Sequence, residues 1–204
     1  MRRIALALLL VGAGLAGEEG PAPLFDGATL DAFEVVGAAG AFTVRDGTIH
    51  CSGTPAGYLR TKRSFREFVL TFEWRYERPE GLDDEMKFLG NSGYLLFIEK
   101  DEIWPRSSES QRMNRDVARI IPIKATAKFH TYPEAREKAR RPVGEWNTME
   151  IRCEGGVIIA AVNGVPVSIV TGYEPREGPI GFQSEGAPLA WRNLVVHDLS
   201  GRDE

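Results

Sequence analysis

Apolar and polar positions alternate most cleanly over Phe68–Tyr76. Phe68, Leu70, Phe72, Trp74 and Tyr76 share one parity, while Thr71, Glu73 and Arg75 take the other. A period of two with one apolar face predicts a half-buried β-strand. Residues 149–154 repeat the pattern, and Gly155-Gly156 closes them with a turn. Val157–Val162 is apolar throughout and reads as a strand. Asn163-Gly164 then supplies a hairpin signal, because both central residues of a type I′ turn need positive φ. Residues 165–170 are the expected partner, with Pro166 pushing that strand toward a sheet edge.

Upstream, 42–44 and Thr48–Cys51 flank Arg45-Asp46-Gly47, a second hairpin signal. Residues 58–61 read as a short strand and 94–98 as a buried one, with Gly90-Asn91-Ser92-Gly93 as a turn before it. Gly178-Pro179 leads into a strand over 180–183, and 191–199 supplies the last one. Short strands punctuated by Gly, Pro and Asn predict an all-β sandwich. Two stretches break the rhythm. Residues 77–89 are charged and irregular, and 106–142 form a longer insertion carrying Lys124, Lys128, Arg136, Lys138, Arg140 and Arg141. That basic run reads as a solvated surface. Within it, 134–141 can form a short helix opened by Pro133, since proline suits a first helical position. Irregular segments of this length in a compact domain are usually functional or mobile.

The chain begins Met1-Arg2-Arg3, continues apolar over 4–16, and meets its first acidic residues at Glu18 and Glu19. This reads as a secretory signal peptide over 1–16, a linker over 17–23 and a single domain over 24–204. Export, to a periplasm or beyond the cell, is the expectation. With 43% hydrophobic residues the domain can build a core without staples. A net charge of −4 argues against nucleic-acid binding, which needs clustered Lys and Arg against phosphates. No membrane span is expected. Cys51 and Cys153 leave both a disulfide and two buried free thiols open. Neither has metal-ligand spacing to another Cys or His, which excludes a structural zinc site.

The polar clusters carry the candidate chemistry. Glu109 and Gln111 share a parity, so in an extended segment their side chains face the same way. Trp104 and Arg106 lie just before them, and Trp104 can offer an aromatic face to a sugar ring. Gln183, Glu185, Arg192 and Asn193 form a second cluster, and Asn91 a third point. Such groups suit a polar, uncharged ligand, with a sugar as the natural candidate. Each also has a bland reading: Glu109 in a surface ion pair, Trp104 in the core, Arg192 paired to Glu185 or Glu73. His50 and His197 read as structural, and His130 as a minor candidate in the long insertion. The sequence has no Gly-x-Ser-x-Gly elbow, P-loop or dinucleotide fingerprint.

Eight motifs in order give a family resemblance. They are Leu24-Phe25-Asp26-Gly27 with Leu30, then 42–47, Gly90-Asn91-Ser92-Gly93, Ile103-Trp104-Pro105, Glu109-x-Gln111, Gly144-Glu145-Trp146-Asn147, 178–186 and Trp191-Arg192-Asn193-Leu194. Together they resemble the 3-keto-disaccharide hydrolase domain family over about residues 24–199. The resemblance implies a concanavalin-like jelly-roll β-sandwich that acts on 3-keto-glycosides as a lyase or hydratase. It also implies a functional link to a sugar 3-oxidase. On that reading Glu109 is the base, Glu185 the acid or water activator, and Arg192 the clamp on the enolate, with the two Glu roles exchangeable. Asn91, Gln111 and Gln183 would orient hydroxyls, and Trp104, Arg106 and His130 would line the substrate. No metal ligand set or cofactor is expected, although carboxylates beside amides are compatible with a divalent cation. Apolar Leu96-Phe97-Ile98 stands where relatives often place an Arg, and Glu185 where many carry a His. Two other functions fit the same residues. One is a non-catalytic carbohydrate-binding module. The other is a two-carboxylate hydrolase of unoxidised sugars, whose carboxyl groups would stand ~5–5.5 Å apart for retention or ~6.5–9.5 Å for inversion.

Overall fold

A computed structural model describes residues 20–111, 116–173 and 176–201. The expected signal segment, 1–16, lies outside them. Two antiparallel sheets face each other, as the alternation predicts. The strands are β1 (Ala22–Pro23), β2 (Phe33–Val36), β3 (Phe42–Arg45), β4 (Thr48–Cys51), β5 (Gly57–Thr61), β6 (Phe68–Tyr76), β7 (Gly93–Leu96) and β8 (Ser107–Gln111). They continue as β9 (Ile120–Ile123), β10 (Lys128–Thr131), β11 (Asn147–Glu154), β12 (Val157–Val162), β13 (Val165–Thr171), β14 (Gly181–Ser184) and β15 (Leu189–Asp198). One sheet runs β10-β13-β12-β11-β6-β15-β4-β3, with β1 added to β15. The other runs β2-β5-β14-β7-β8-β9. This is the jelly-roll sandwich that the resemblance implies.

Local chemistry explains the connections. Asp46-Gly47 and Asn163-Gly164 all take positive φ and close the β3–β4 and β12–β13 hairpins. Pro166 does not make β13 an edge, because β10 pairs on its outside. That pairing stops at Ser168, and β13 shifts register against Ala160/Ala161, so the residue without an N–H falls clear of the outer ladder. The irregular insertion is more ordered than its composition suggests: it carries β8, β9, β10 and the helix α1 (Pro133–Ala139). The stretch 17–23, expected as linker, joins the sheet from Ala22 onward. Cys51 and Cys153 are buried and are not joined by a disulfide. Among the described residues no helix is long and apolar enough to cross a membrane.

The core fixes where the site will lie. Phe182 of β14 packs edge-on against Phe33, Phe72, Tyr94 and Trp191, with ring centroids 5.5–6.2 Å apart. The Trp191 indole N–H donates to the Tyr94 hydroxyl at 3.1 Å. Because Phe182, Tyr94 and Ser110 point inward, their neighbours Gln183, Gly93, Glu109 and Gln111 must point outward from the six-stranded sheet. Truncating Phe182 would remove stabilisation of about 3–5 kcal/mol and loosen that alignment.

Candidate active site

The outer face of the six-stranded sheet has its own floor. Tyr58, Leu95 and Ile98 form a small buried apolar cluster there, separate from the main core. The loop 99–106 covers it: the Tyr58 hydroxyl donates to the Glu102 carbonyl at 3.0 Å, and Arg60 pairs with Asp101 at 2.7 Å. Beside this cluster the polar residues converge on Gly93.

Gly93 is the centre of the arrangement. Its φ is not left-handed, so conformational freedom is not why a glycine stands here. A Cβ at this position would lie 2.1 Å from Gln183 Oε1 and 2.4 Å from Glu109 Oε1. The two side chains therefore close over the glycine from β14 and β8. Glu109 is only 5% exposed and Gln183 only 3%. Continuing the β14–β7 register past Phe182↔Tyr94 brings Glu185 level with Asn91. The Ser92 hydroxyl ties this end together, donating to the Gln183 carbonyl at 2.9 Å.

Four side-chain oxygens here are buried without a hydrogen-bond partner: Glu109 Oε1, Gln183 Oε1, Asn91 Oδ1 and Glu185 Oε2. Unmet acceptors in one spot are expensive in a dry site and mark a place for a donor-rich ligand. Burial first, and the nearby Glu185 charge second, push the Glu109 carboxyl up to about 7. Burial raises Glu185 as well. No cation among the described residues contributes to either shift. Among the described residues Glu109 forms no surface ion pair of the kind that would make it an ordinary residue.

The other expected site residues divide. Gln111 extends the same face from β8, with Gly93 directly across from it. Trp104 is 46% exposed and stands on the loop that roofs the Tyr58 cluster. Arg106 is held by Glu99 and the Lys124 carbonyl, which makes it a brace for that loop. Two residues lie elsewhere. Arg192 projects from the outside of the opposite sheet, where Glu73 Oε2 accepts from its Nε at 2.6 Å and Trp146 lies 4.1 Å beneath its guanidinium. The inward turn of Trp191 forces this, so Arg192 is not brought to the carboxyl pair. His130 sits exposed on β10 of the opposite sheet, paired in register with Ile169. Tyr58, Leu95 and Gly181 are floor residues that the sequence reading passed over. Their alternation with core residues, once β5, β7 and β14 are paired, is the signal that finds them. Gly90-Asn91-Ser92-Gly93 is an extended lead into β7 and not a turn, so its glycines supply room.

The family model for the 3-keto-alpha-glucoside-1,2-lyase-like domain matches residues 20–197. No curated protein sequence matches the chain. Among solved structures, two Parabacteroides distasonis proteins provisionally named glycosyl hydrolases superpose well. One has a TM-score of 0.67 at 17% identity, covering 88% of this chain and 94% of that one. The other gives 0.66 at 18% identity, covering 89% and 100%. A carbohydrate-binding module, CBM66 from Bacillus subtilis, follows with a TM-score of 0.57 at 10% identity, covering 82% and 96%. At these identities the likeness establishes the fold.

Proposed function

The chain belongs to the 3-keto-alpha-glucoside-1,2-lyase-like domain family, and from that membership and the carboxyl pair we propose that it cleaves 3-keto-glycosides by elimination followed by hydration. The family supports a carbohydrate-active role. The finer reading rests on one observation: a buried carboxyl with an unpaired oxygen, over a glycine floor and beside a second carboxyl.

The chemistry asks for such a pair. A carbonyl at C3 makes the C2 hydrogen acidic and turns the C1 oxygen into a β leaving group. Glu109, ionised, removes the C2 proton, and the electron pair passes into the C2–C3 enolate. The carbonyl re-forms as C1=C2 forms and the C1–O bond breaks, while protonated Glu185 gives its proton to the departing oxygen. Glu109 now holds a proton and Glu185 does not. In the hydration step Glu185 takes a proton from water as the water oxygen bonds to C1, and Glu109, whose proton exchanges with solvent once the aglycone has left, delivers a proton to C2. Both carboxyls are then reset. Burial raises both carboxyls, Glu109 to about 7, so the pair can share a single proton on the acid side of that value, and the cycle runs from the form in which Glu185 holds it. Glu109 takes the base role because it is the more deeply buried of the two carboxyls, and a desolvated carboxylate is the stronger base. The amides of Asn91 and Gln183 supply neutral N–H donors toward hydroxyls or the enolate oxygen.

The test is turnover of a panel pairing each 3-keto-glycoside with its unoxidised parent. The protein should consume only the keto sugars, and Glu109→Gln should lose at least ~10²-fold in kcat. Consumption of the unoxidised parents would instead indicate a two-carboxylate hydrolase. Binding of plain sugars with no turnover of any substrate would indicate a binding module.

A further inference from the structure

The proposed reaction uses the amide N–H groups of Asn91 and Gln183 and leaves their oxygens without a role. Gln183 Oε1 and Glu109 Oε1 lie 2.1 Å and 2.4 Å from one point, the place where a Cβ on Gly93 would stand. The register explains how they meet. Gln183 follows Phe182, the partner of Tyr94, and so reaches Gly93 from β14, while Glu109 comes from β8, where Gln111 pairs with Gly93. A glycine between them removes the side chain that would hold the two oxygens apart. One step along the same face Glu185 stands level with Asn91, and its charge is near enough to act on Glu109.

Each of these four side chains carries an oxygen that solvent does not reach and that has no hydrogen-bond partner among the described residues. Gln183 decides what they need. It is only 3% exposed, and an amide oxygen, unlike a carboxylate, is not satisfied by taking up a proton near neutral pH. Placed against Glu109 Oε1, it requires a donor or a cation between the two. A cation fits the distances: calcium–oxygen bonds run ~2.3–2.6 Å, so one ion can touch both atoms. It also fits the donor set. Two carboxylates and two amide carbonyls are hard oxygen ligands whose two charges match a divalent ion, and such a set favours Ca²⁺ or Mg²⁺ over Zn²⁺. Mg²⁺ demands a near-ideal octahedron and gives up water reluctantly, whereas Ca²⁺ accepts irregular ligand sets.

We propose that Glu109, Gln183, Asn91 and Glu185 form a Ca²⁺-binding site. Binding needs only these oxygens; its effect on turnover rests on the reaction proposed above. That reaction requires Glu109 free as a base and Glu185 carrying a proton. A bound Ca²⁺ holds both as carboxylates, so the shared proton leaves to solvent as the ion enters, and the cycle stops. Calcium is therefore an inhibitor of the site.

Calorimetric titration of CaCl₂ into the whole protein, stripped with EDTA and dialysed at pH 7, measures the binding, with MgCl₂ and KCl as controls. A saturable Ca²⁺ site, at least ~10-fold tighter than Mg²⁺, is the expected result. Glu109→Gln and Gln183→Leu should each weaken it at least ~10-fold. Glu150→Gln removes an exposed carboxylate on β11 of the other sheet and should leave it unchanged. Melting each variant without the cation shows that a lost site is not a lost fold. No saturable binding up to ~10 mM Ca²⁺, or binding of equal strength in Glu109→Gln and Gln183→Leu, would overturn the site. Turnover of a 3-keto-glycoside separates the site from the reaction. Loss of turnover on Ca²⁺ binding, reversed by EDTA, supports both. Binding with turnover kept or raised leaves the site standing and removes the acid–base roles of the pair.

Discussion

Replacing Glu109 by Gln should make the protein more stable in alkali while it destroys the proposed chemistry. The carboxyl is raised from 4.5 to about 7 by burial and by Glu185. Each pKa unit corresponds to about 1.4 kcal/mol, so ionising Glu109 inside the fold costs on the order of 3 kcal/mol. The sign follows from proton counts. Between pH 4.5 and about 7 the folded chain keeps a proton that the unfolded chain has released. Stability therefore falls as pH rises through that window and is flat on either side of it. Glu185 shifts in the same direction, so the window belongs to the pair. His50, whose pKa is lowered, contributes the opposite slope, and subtracting the variant from the wild type removes it. Gln keeps the shape and carries no charge. Urea unfolding at pH 4, 6 and 8 should then show near-equal stabilities at pH 4 and an advantage for Glu109→Gln at pH 8. That advantage should be on the order of 3 kcal/mol, or roughly 6–12 °C in melting temperature for a domain of this size. Identical pH dependence in the two proteins, or a less stable variant at pH 8, would mean that the carboxylate has a stabilising partner and the reasoning is wrong.

Other outcomes follow from the same geometry. Gly93→Ala places a methyl group against Gln183 and Glu109; kcat/KM should drop about 10²-fold for a loss of only ~1–3 kcal/mol in stability, read by kinetics and thermal melting. Arg192→Ala removes a half-exposed pair with Glu73 and support for Trp146. It should cost about 1 kcal/mol and leave kcat within a few-fold, whereas a collapse of kcat with folding intact would return Arg192 to the chemistry. Burial pushes the Cys153 thiol well up, so a thiol reagent at pH 8 should label it only after urea unfolding, as mass spectrometry of the labelled peptide would show.

Much of the sandwich is legible because its strands bury one face. β6 alternates without a fault, and Asp46-Gly47 and Asn163-Gly164 need their positive φ whatever surrounds them. β8 is illegible by the same logic. Its residues, Ser107-Ser108-Glu109-Ser110-Gln111, contain nothing apolar, yet four of the five are buried. A strand made of polar residues is invisible to a hydrophobic pattern, and the site stands on it. Parity alone did place Glu109 and Gln111 on one face. It could not decide on which sheet or face Arg192 lies, because that depends on β15 pairing with β6 and β4 and on Trp191 entering the core. Nor could it show that Gly93 is a gap between two side chains, a fact that exists only when β7 lies between β8 and β14.

The central claim is that Glu109 moves the C2 proton of a 3-keto sugar, and isotope transfer at that carbon tests it most directly. Turnover of a 3-keto-glycoside in deuterated water should yield product sugar carrying one solvent-derived deuterium at C2. A C2-deuterated substrate should react several-fold more slowly, and Glu109→Gln should show neither effect. Aglycone release with the original C2 hydrogen retained and no isotope effect would contradict the account.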